Sequence, residues 1–400
     1  MRVFYLFSSL RGLAMGLFLP IWILYLADCG FDLLTIGLLG TVFEVAKLIF
    51  EIPSGTFADR FGVKLSITGS LLFSALTWAL FPLSDTFIIC LIAMVTWALS
   101  DALISGSFQT WMSRETGTEQ FGKEMMKNTQ VMIIFTTSSS IASGFLYSAN
   151  QILPFILTAS VYIFWYLWSL FYIRVPEVKE DEPYDSQETF FQILTRSLTL
   201  ILNKRRVMLI VIAGFFSALT YDTIARYWQP YLETIGFSPK TLGLVMAFAG
   251  LCTFILLTLM LKVEQMIDRK SMTVLTIIET SGMILTGLLA IGVKPIGLAS
   301  TSILLAIEDV REPVVYHYLN QLFPDQYKTT LFSVHSGVGA AGEILSGVIF
   351  GVIAVKFGLA TTFIVAAICL LPCIIMYIVV PGMKEQEAVQ LDSVQIKENK

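Results

Sequence analysis

The chain has 400 residues, of which 56% are hydrophobic and 14% are charged, and its mean hydropathy is +0.75. This composition lies outside the range of soluble globular domains and predicts an integral membrane protein. A net charge of -4 argues against nucleic-acid binding, because phosphate backbones attract dense positive charge. Five cysteines without a CxxC motif and only two histidines indicate neither a disulfide framework nor a metal site, and no cofactor is expected.

Twelve stretches are apolar enough and long enough to cross a bilayer, which takes about 20 residues each. The first lacks a small-residue cleavage region, so it is expected to remain as a helix and not to be removed as a signal peptide. In chain order the predicted spans are 3–27, 33–53, 67–83, 87–108, 129–148 and 152–173, then 207–231, 241–261, 272–291, 295–318, 332–354 and 361–380. The sequence therefore predicts an N-terminal six-helix bundle (1–173), a linker (174–206), a C-terminal six-helix bundle (207–381) and a tail (382–400).

The linker is too polar at its start to span a membrane. Its second part has apolar residues at helical spacing, at Phe190, Phe191, Leu194, Leu198, Ile201 and Leu202. This pattern predicts an amphipathic helix on the inner membrane surface, and the alternative is a loop packed against the helix ends.

Lys and Arg fall mostly on one side of the predicted topology. If the N-terminus is inside, the outer side holds only Lys240, Lys294 and Lys356. Cytoplasmic loops retain an excess of basic residues, so both termini are expected to face the cytoplasm. The chain is therefore expected to be a multi-pass protein of the plasma or inner membrane.

An internal repeat links the two halves. Residues 22–38 match residues 228–244 without a gap, at an offset of 206 (228 − 22). The identical pairs are Trp22/Trp228, Tyr25/Tyr231, Leu26/Leu232, Gly30/Gly236, Phe31/Phe237, Gly37/Gly243 and Leu38/Leu244. Two equivalent six-helix halves with the substrate site between them are one plan of secondary transporters.

The segment GTFADRFGVK, which runs from Gly55 to Lys64, is expected to be the short inner turn between the second and third spans. Asp59 suits a helix N-terminus, Gly62 permits a tight turn, and Arg60 with Lys64 would hold the turn on the inner side.

This segment resembles the signature loop of the major facilitator superfamily, G-x-x-x-D-R-x-G-x-K/R. The resemblance implies an all-α integral membrane protein with twelve transmembrane helices in two pseudo-symmetric bundles. It also implies that the motif is a conformational latch that does not touch substrate. In the second half Lys270 stands at the position of Lys64, but the glycines are missing, so asymmetric halves are expected.

Charged residues inside the predicted spans are the candidate site, because a charge at mid-bilayer costs about 2.5–3.5 kcal/mol on insertion scales. The substrate and proton-coupling candidates are Arg11, Glu44, Lys47, Asp101, Asp222, Arg226, Glu308, Asp309 and Arg311. Further charges stand at Glu51, Glu279, Glu312 and Glu343.

Helical spacing predicts which of these charges neutralise each other. Four pairs each share a helix face, namely Asp222 with Arg226, Glu44 with Lys47, Lys47 with Glu51, and Glu308 with Arg311. Asp101 and Arg11 have no such partner, and the family fold implies that they pair across the cavity. Asp101 and Asp222 are the first candidates to carry a proton, with Arg11 and Arg226 as competing partners.

Aromatic residues have two interpretations. Trp22, Trp97, Tyr221, Tyr227 and Trp228 are candidates to line a cavity for a lipophilic or cationic solute. The alternative is interfacial anchoring, which is expected for Trp22, Tyr25, Trp228 and Tyr231 at the outer helix ends.

Three functions are consistent with these patterns. The first is a secondary transporter working by alternating access, with proton-coupled efflux of small amphipathic compounds, since length and topology resemble the drug/proton antiporters. Those exporters carry an arginine in the fourth helix, where this chain has Asp101, and a glycine-proline motif in the fifth, of which only Gly144 remains. The second is proton-coupled uptake of a metabolite, and the third is a membrane receptor or scaffold. An enzyme is not expected, and the partners would be a small molecule, protons and the bilayer, with the protein as a monomer.

Overall fold

The structure is a computed structural model that describes residues 2–83, 86–105, 107–116, 118–173, 205–263, 269–288, 294–322 and 328–379. The predicted linker helix and the C-terminal tail lie outside these residues. The described N-terminal half contains α1 (Arg2–Phe18), α2 (Trp22–Asp28), α3 (Leu33–Phe61), α4 (Val63–Leu80), α5 (Phe87–Ile104), α6 (Ser107–Thr116), α7 (Thr118–Ala149) and α8 (Leu153–Tyr172). The C-terminal half contains α9 (Arg205–Thr234), α10 (Pro239–Val263), α11 (Arg269–Leu288), α12 (Lys294–Leu322), α13 (Lys328–Phe357) and α14 (Leu359–Val379).

The helices cross the bundle alternately between two ends. We call the end where α8 stops and α9 starts the linker face. We call the opposite end, where α2 turns into α3 and α9 turns into α10, the hairpin face.

Helices occupy most of the described part of every predicted span, and the twelve-helix architecture is confirmed. Within the described residues, eleven segments are long and apolar enough to cross a membrane. The first of them, Val3–Asp28, comprises α1 and α2 together. The twelfth span is α12, which has a lower hydropathy because Glu308, Asp309, Arg311 and Glu312 follow one another within it.

The turn expected between the second and third spans is much shorter than predicted. The membrane-crossing part of the second span ends at Glu51, close to the expected residue 53, but α3 continues to Phe61 and α4 begins at Val63, so the expected turn from Gly55 to Lys64 is almost entirely helical. Only Gly62 interrupts the helices, with a φ of +94° that favours glycine. Hydropathy indicates where a chain leaves the bilayer. A helix can continue beyond that point as long as its backbone hydrogen bonds continue, and this explains the difference.

The internal repeat corresponds to two equivalent helix–turn–helix units. Gly30 and Gly236 follow α2 and α9 with φ values of +93° and +89°. In both units the residue after the glycine donates its backbone N–H to a carbonyl five residues earlier, Phe31 to Leu26 and Phe237 to Leu232. These are the hydrogen bonds of a glycine-terminated helix, so the repeated glycines preserve the same turn.

The turn after Gly30 also contains a charged helix cap. The Asp32 carboxylate accepts the backbone N–H of Thr35 at 2.7 Å. Hydrogen bonds from Thr35 lower the pKa of Asp32, so the cap is anionic and complements the N-terminus of α3.

The expected interfacial anchors are buried. Tyr25 packs against Phe155 with ring centroids 4.8 Å apart, and Tyr231 packs against Phe363 at 5.1 Å. Trp228 is also buried, and Trp22 is partly buried. The anchoring expectation is therefore wrong for this repeat, because the helix ends that carry these residues pack inside the protein and do not face the headgroups.

The largest contacts between the two halves are two helix crossings, α3 with α13 and α7 with α10. A Cβ on Gly37 would lie 2.3 Å from the carbonyl oxygen of Gly347, and a Cβ on Gly243 would lie 2.3 Å from that of Ser140. Gly37 and Gly243 are equivalent in the repeat, so the same position makes the close approach in each half. All four residues lie toward the hairpin face, which is closed.

A methyl group at the α3–α13 crossing should destabilise the protein. We expect Gly347→Ala to cost about 1–3 kcal/mol, because its Cβ would overlap the Gly37 carbonyl. The control is Gly337→Ala on the same helix, where a Cβ meets nothing within 4 Å. That variant should be neutral or gain up to about 1 kcal/mol of helix propensity. Thermal unfolding in one detergent measures both, and equal melting temperatures would contradict the close contact.

Candidate functional site

A cavity of about 430 Å³ lies between the two halves, and we call it the central cavity. Its wall is rich in aromatic and thioether side chains, namely Trp22, Phe43, Trp97, Tyr221, Trp228, Met15, Met94, Met132 and Met246. Four of the five predicted aromatic residues therefore line it. The exception is Tyr227, whose buried hydroxyl donates to the Leu33 carbonyl at 3.3 Å. Aromatic faces attract cations, and methionine adapts to irregular apolar shapes.

Asp222 and Arg226 form a buried ion pair on the wall of this cavity. Arg226 Nε donates to Asp222 Oδ2 at 2.5 Å, and the two residues are 4% and 7% exposed. The pairing predicted from their helical spacing is present. Since each charge is neutralised by the other, the pair can remain in an apolar environment.

The same arginine reaches the other half of the protein. Arg226 Nη1 donates to the Gly37 carbonyl of α3 at 2.9 Å. A Cβ on Gly40 would overlap the guanidinium, so the glycine leaves the space that the arginine occupies. The ion pair thus also connects α9 to α3 at the closed end.

The first span is broken between α1 and α2 at residues 19–21, around Pro20, and a side chain from the other half fills the break. Gln229 Nε2 donates to the Leu19 carbonyl at 2.8 Å, and Gln229 Oε1 accepts the backbone N–H groups of Ile23 and Leu24 at 3.1 and 3.2 Å. These two N–H groups lie in the first turn of α2 and have no partner within that helix. Gln229 therefore caps a helix across the interface between the halves.

A second cavity, of about 660 Å³, adjoins the central cavity on its linker-face side, and we call it the linker-face cavity. Glu44, Tyr221 and Asp309 line both, so the two are continuous. The predicted candidates Glu44, Lys47, Asp309 and Arg311 line it, as do Glu51 and Glu343. Its outer part includes the exposed residues Glu51 and Gln109, so it opens toward the linker face.

Arg311 pairs with a carboxylate on a neighbouring helix. Its Nη1 pairs with Glu279 of α11, and its Nη2 donates to Thr276 Oγ1 at 2.8 Å. The Glu308–Arg311 pair expected from helical spacing stays a prediction. The side chains of Glu308 and Glu312 lie outside the described part of the structure. Asp309 accepts the Thr253 hydroxyl at 3.3 Å.

Arg11 and Asp101 share two smaller pockets inside the N-terminal half, of about 270 and 90 Å³. The structure brings them together as expected, but no ion pair within 4.0 Å joins these two described side chains. The smaller pocket also contains a hydroxyl cluster in which Ser100 Oγ lies 2.6 Å from Ser74 Oγ and 3.3 Å from Ser70 Oγ. The larger pocket is polar as well, because Asn128 and Gln109 line it.

Lys47 lies between the N-terminal pocket of about 270 Å³ and the linker-face cavity, and it lines both. Its Nζ is 5.8 Å from the centroid of the Phe43 ring. No ion pair within 4.0 Å joins Lys47 to Glu44, so the tight pair predicted from their spacing is not formed between these described side chains.

The signature motif packs within its own half. Lys64 Nζ donates to the Leu170 carbonyl at the end of α8, at 3.0 Å. Arg60 is exposed beside the Phe61 ring, at 5.5 Å from its centroid. Gly55 lies inside α3, and the side chain of Asp59 lies outside the described part of the structure. The latch role therefore remains an expectation.

Two interface residues were underestimated by sequence reasoning. Glu343 was noticed only as a further charge, and Gln229 was not singled out. An uncharged glutamine inside an apolar span was the available signal for Gln229, because a buried amide needs partners. The contacts of both residues cross between halves that are distant in sequence, so spacing along one helix does not reveal them.

Comparison with known proteins identifies the family. Residues 4–308 match the family model of the Major Facilitator Superfamily. The chain belongs to the major facilitator superfamily. It is 54% identical over 388 residues to YxaM of Bacillus subtilis (strain 168), an uncharacterized MFS-type transporter, with 97% of each chain covered.

More distant similarities agree with this family. Multidrug resistance protein 2 of Bacillus subtilis (strain 168) is 21% identical over 345 residues, covering 84% of this chain and 85% of that protein. The crystal structure of a mutant of the nucleoside transporter NupG matches with a TM-score of 0.77 and 13% identity, over 94% of this chain and 98% of that one. As a member of the major facilitator superfamily, the chain is a multi-pass membrane transporter and not an enzyme.

Removing the hydrogen bonds of Gln229 should loosen the break in the first span. Gln229→Met keeps the length of the side chain but leaves two N–H groups and one carbonyl without partners, at a cost of about 1–3 kcal/mol. We expect faster amide exchange at Ile23 and Leu24 and a lower melting temperature. The control is Gln109→Met, an exposed glutamine, which should change neither. Unchanged exchange at Ile23 and Leu24 in Gln229→Met would contradict the capping role.

Proposed function

We propose that this transporter exports small amphipathic cations in exchange for protons, by alternating access. The observation that carries the proposal is the central cavity, where an aromatic and methionine-rich wall meets the carboxylates of Glu44, Asp222 and Asp309. The apolar wall suits a lipophilic body, and the carboxylates suit a positive charge. The name of Multidrug resistance protein 2 is compatible with such a substrate, although that protein is a distant relative.

Proton coupling is proposed from the arrangement of carboxylates. Asp222 faces the central cavity and is held by Arg226, so a proton or a cationic substrate on Asp222 competes with the guanidinium. Asp101 lies in the N-terminal pockets with Arg11 and has no ion pair within 4.0 Å among the described residues. The exchange of one proton for one monovalent cation moves no net charge, so the pH gradient across the membrane would drive export.

The protein is proposed to lie in the bacterial cell membrane with both termini in the cytoplasm. The linker face is then the cytoplasmic face, and the cavities are open to the inside while the glycine crossings close the outside. In this conformation a compound from the cytoplasm or the inner leaflet reaches the central cavity. Export requires the opposite conformation, in which the crossings separate.

Proton-coupled uptake of a polar metabolite is the second candidate. The pocket of about 270 Å³ in the N-terminal half favours it, because Arg11, Lys47, Asp101 and Asn128 offer hydrogen bonds and charges of both signs. A solute with hydroxyl or carboxylate groups would fit this pocket better than the aromatic cavity. The two functions move protons in opposite directions relative to the substrate.

Purified protein in liposomes with an internal pH dye distinguishes them. We expect a quaternary lipophilic cation added outside to raise the internal pH, because the cation enters as protons leave and has no exchangeable proton of its own. Neutral drugs, sugars and amino acids are added in separate runs. Internal acidification by a sugar or amino acid would instead support symport. The absence of proton movement with every compound would contradict proton coupling, and protein-free liposomes control for leakage.

Neutralising the proposed proton carriers should abolish coupling. We expect Asp101→Asn and Asp222→Asn to lose substrate-evoked proton movement, whereas Glu115→Gln, an exposed carboxylate outside the cavities, should keep it. Asp222→Asn leaves Arg226 without its ion partner, so Asp222→Asn/Arg226→Gln tests the same carboxylate in a neutral context. Retention of wild-type coupling in both aspartate variants would refute their role.

The proposed orientation predicts where fused reporters work. A cytoplasmic fluorescent reporter after residue 400 should be active, and an externally activated phosphatase inserted after residue 150, on the hairpin face, should also be active. Exchanging the two reporters should inactivate both. The reverse pattern would place the termini outside.

A further inference from the structure

The α3–α13 crossing has a continuous register from the hairpin face inward. It begins at Gly37 and Gly347, whose backbones touch. One turn further along α3, Thr41 Oγ1 donates to the Ile344 carbonyl at 3.0 Å. Because the helices run in opposite directions, later residues of α3 meet earlier residues of α13.

Glu44 and Glu343 are the next side chains in this register. Their side chains approach each other across the crossing, and both line the linker-face cavity. Beyond them Leu48 and Ser336 are exposed and line the same cavity. The glutamates therefore lie between the close part of the crossing and the open part of the cavity.

The chemistry of this contact depends on a proton. A hydrogen bond between two carboxyl groups needs a proton on one of them, since ionised carboxylates only accept hydrogen bonds. If both groups lose their protons, they repel each other across the interface between the halves. The two groups are half-buried and face the cavity, so they exchange protons with water on the linker face.

The neighbouring charges that are described act on the two glutamates, but none of them forms an ion pair with the glutamates that could take the place of the shared proton. Lys47 lies on the same helix one turn away and forms no ion pair within 4.0 Å with either described glutamate. Asp222 and Arg226 face the pair from α9 but neutralise each other. The other titratable or charged described groups beside the pair are Glu51 on α3, Asp101 on α5, Tyr221 on α9, Asp309 and Arg311 on α12, His335 on α13 and Tyr377 on α14.

We propose that Glu44 and Glu343 are a proton-sharing pair whose protonation keeps the hairpin face closed. With one shared proton, the carboxyl contact continues the glycine crossing and joins the halves. When that proton leaves to cavity water on the linker face, repulsion between the carboxylates weakens the α3–α13 crossing and favours separation of the halves. The pair is thus a coupling site distinct from Asp101 and Asp222.

The inference rests on the proposed function for its place in a transport cycle. A proton bound while the hairpin face is open would allow that face to close. Its release on the linker face would allow the hairpin face to open again while a substrate cation occupies the central cavity. A proton and a substrate cation would then be exchanged in one cycle.

Hydrogen–deuterium exchange of the full-length protein in lipid nanodiscs tests the pair without any substrate. The segments to follow are 33–41 and 344–352, which form the crossing. After correction for the intrinsic effect of pH on exchange, we expect wild-type protection of both segments to fall as the pH rises from about 6 to about 9. Glu44→Gln and Glu343→Gln each keep a hydrogen-bond donor in the pair and remove the repulsion, so protection should stay high at every pH. The control is Glu51→Gln, two turns away on the same helix and in the same cavity, which should behave as the wild type does.

The outcomes separate this inference from the proposed function. A pH-dependent opening that both glutamine variants abolish supports the pair, and it does so whether or not a cation is transported. The same pH dependence in Glu44→Gln and Glu343→Gln as in the wild type would overturn the pair. So would an equal loss of pH dependence in Glu51→Gln, because the effect would then belong to the cavity as a whole. Unchanged protection of 153–172 in every variant would exclude general unfolding.

Discussion

The structure depends on how closely two pairs of helices approach each other at the hairpin face. Helix backbones approach closely where the facing side chains are small or absent, and Gly37, Gly347 and Gly243 provide this condition. These contacts bring polar groups across the interface within hydrogen-bonding range, including Arg226 with the Gly37 carbonyl. They also close the cavities on one side. Larger residues at the crossings would separate the halves. The hydrogen bonds between the halves would then be lost, and the central cavity would no longer be closed on the hairpin face.

The charges inside the membrane fall into two groups with different consequences. Asp222 with Arg226, and Glu279 with Arg311, are matched pairs with short contacts. In such pairs the attraction between opposite charges offsets the cost of burying them, and the contacts keep the helices oriented. In contrast, Glu44, Lys47, Arg11 and Asp101 line water-accessible cavities without an ion pair within 4.0 Å among the described residues. Groups of the second kind can change protonation or partner during a cycle with less disturbance of the fold.

The sequence predicted the large elements well because each has a local signal. Hydropathy located every span, and the repeat at an offset of 206 located the equivalent turns at Gly30 and Gly236. The Asp222–Arg226 pair was predictable because both residues lie on one helix. The pairing of Arg311 with Glu279 and the contact of Glu44 with Glu343 were not, because each joins different helices. The end of α3 was also missed, since backbone hydrogen bonds continue after the hydropathy falls.

The contact of Gln229 with the broken first span has a consequence for symmetry. The offset of 206 pairs Gln229 with Ile23, and the Gln229 side chain binds the backbone of this equivalent residue. A residue that contacts its own equivalent in the other half would, in a dimer of two identical halves, meet its own copy. Two glutamines would then compete for one space. Here one half supplies a polar side chain and the other supplies an interrupted backbone. This contact is available only to a single chain whose halves have diverged, so neither half on its own could pair with itself to build the same closed end.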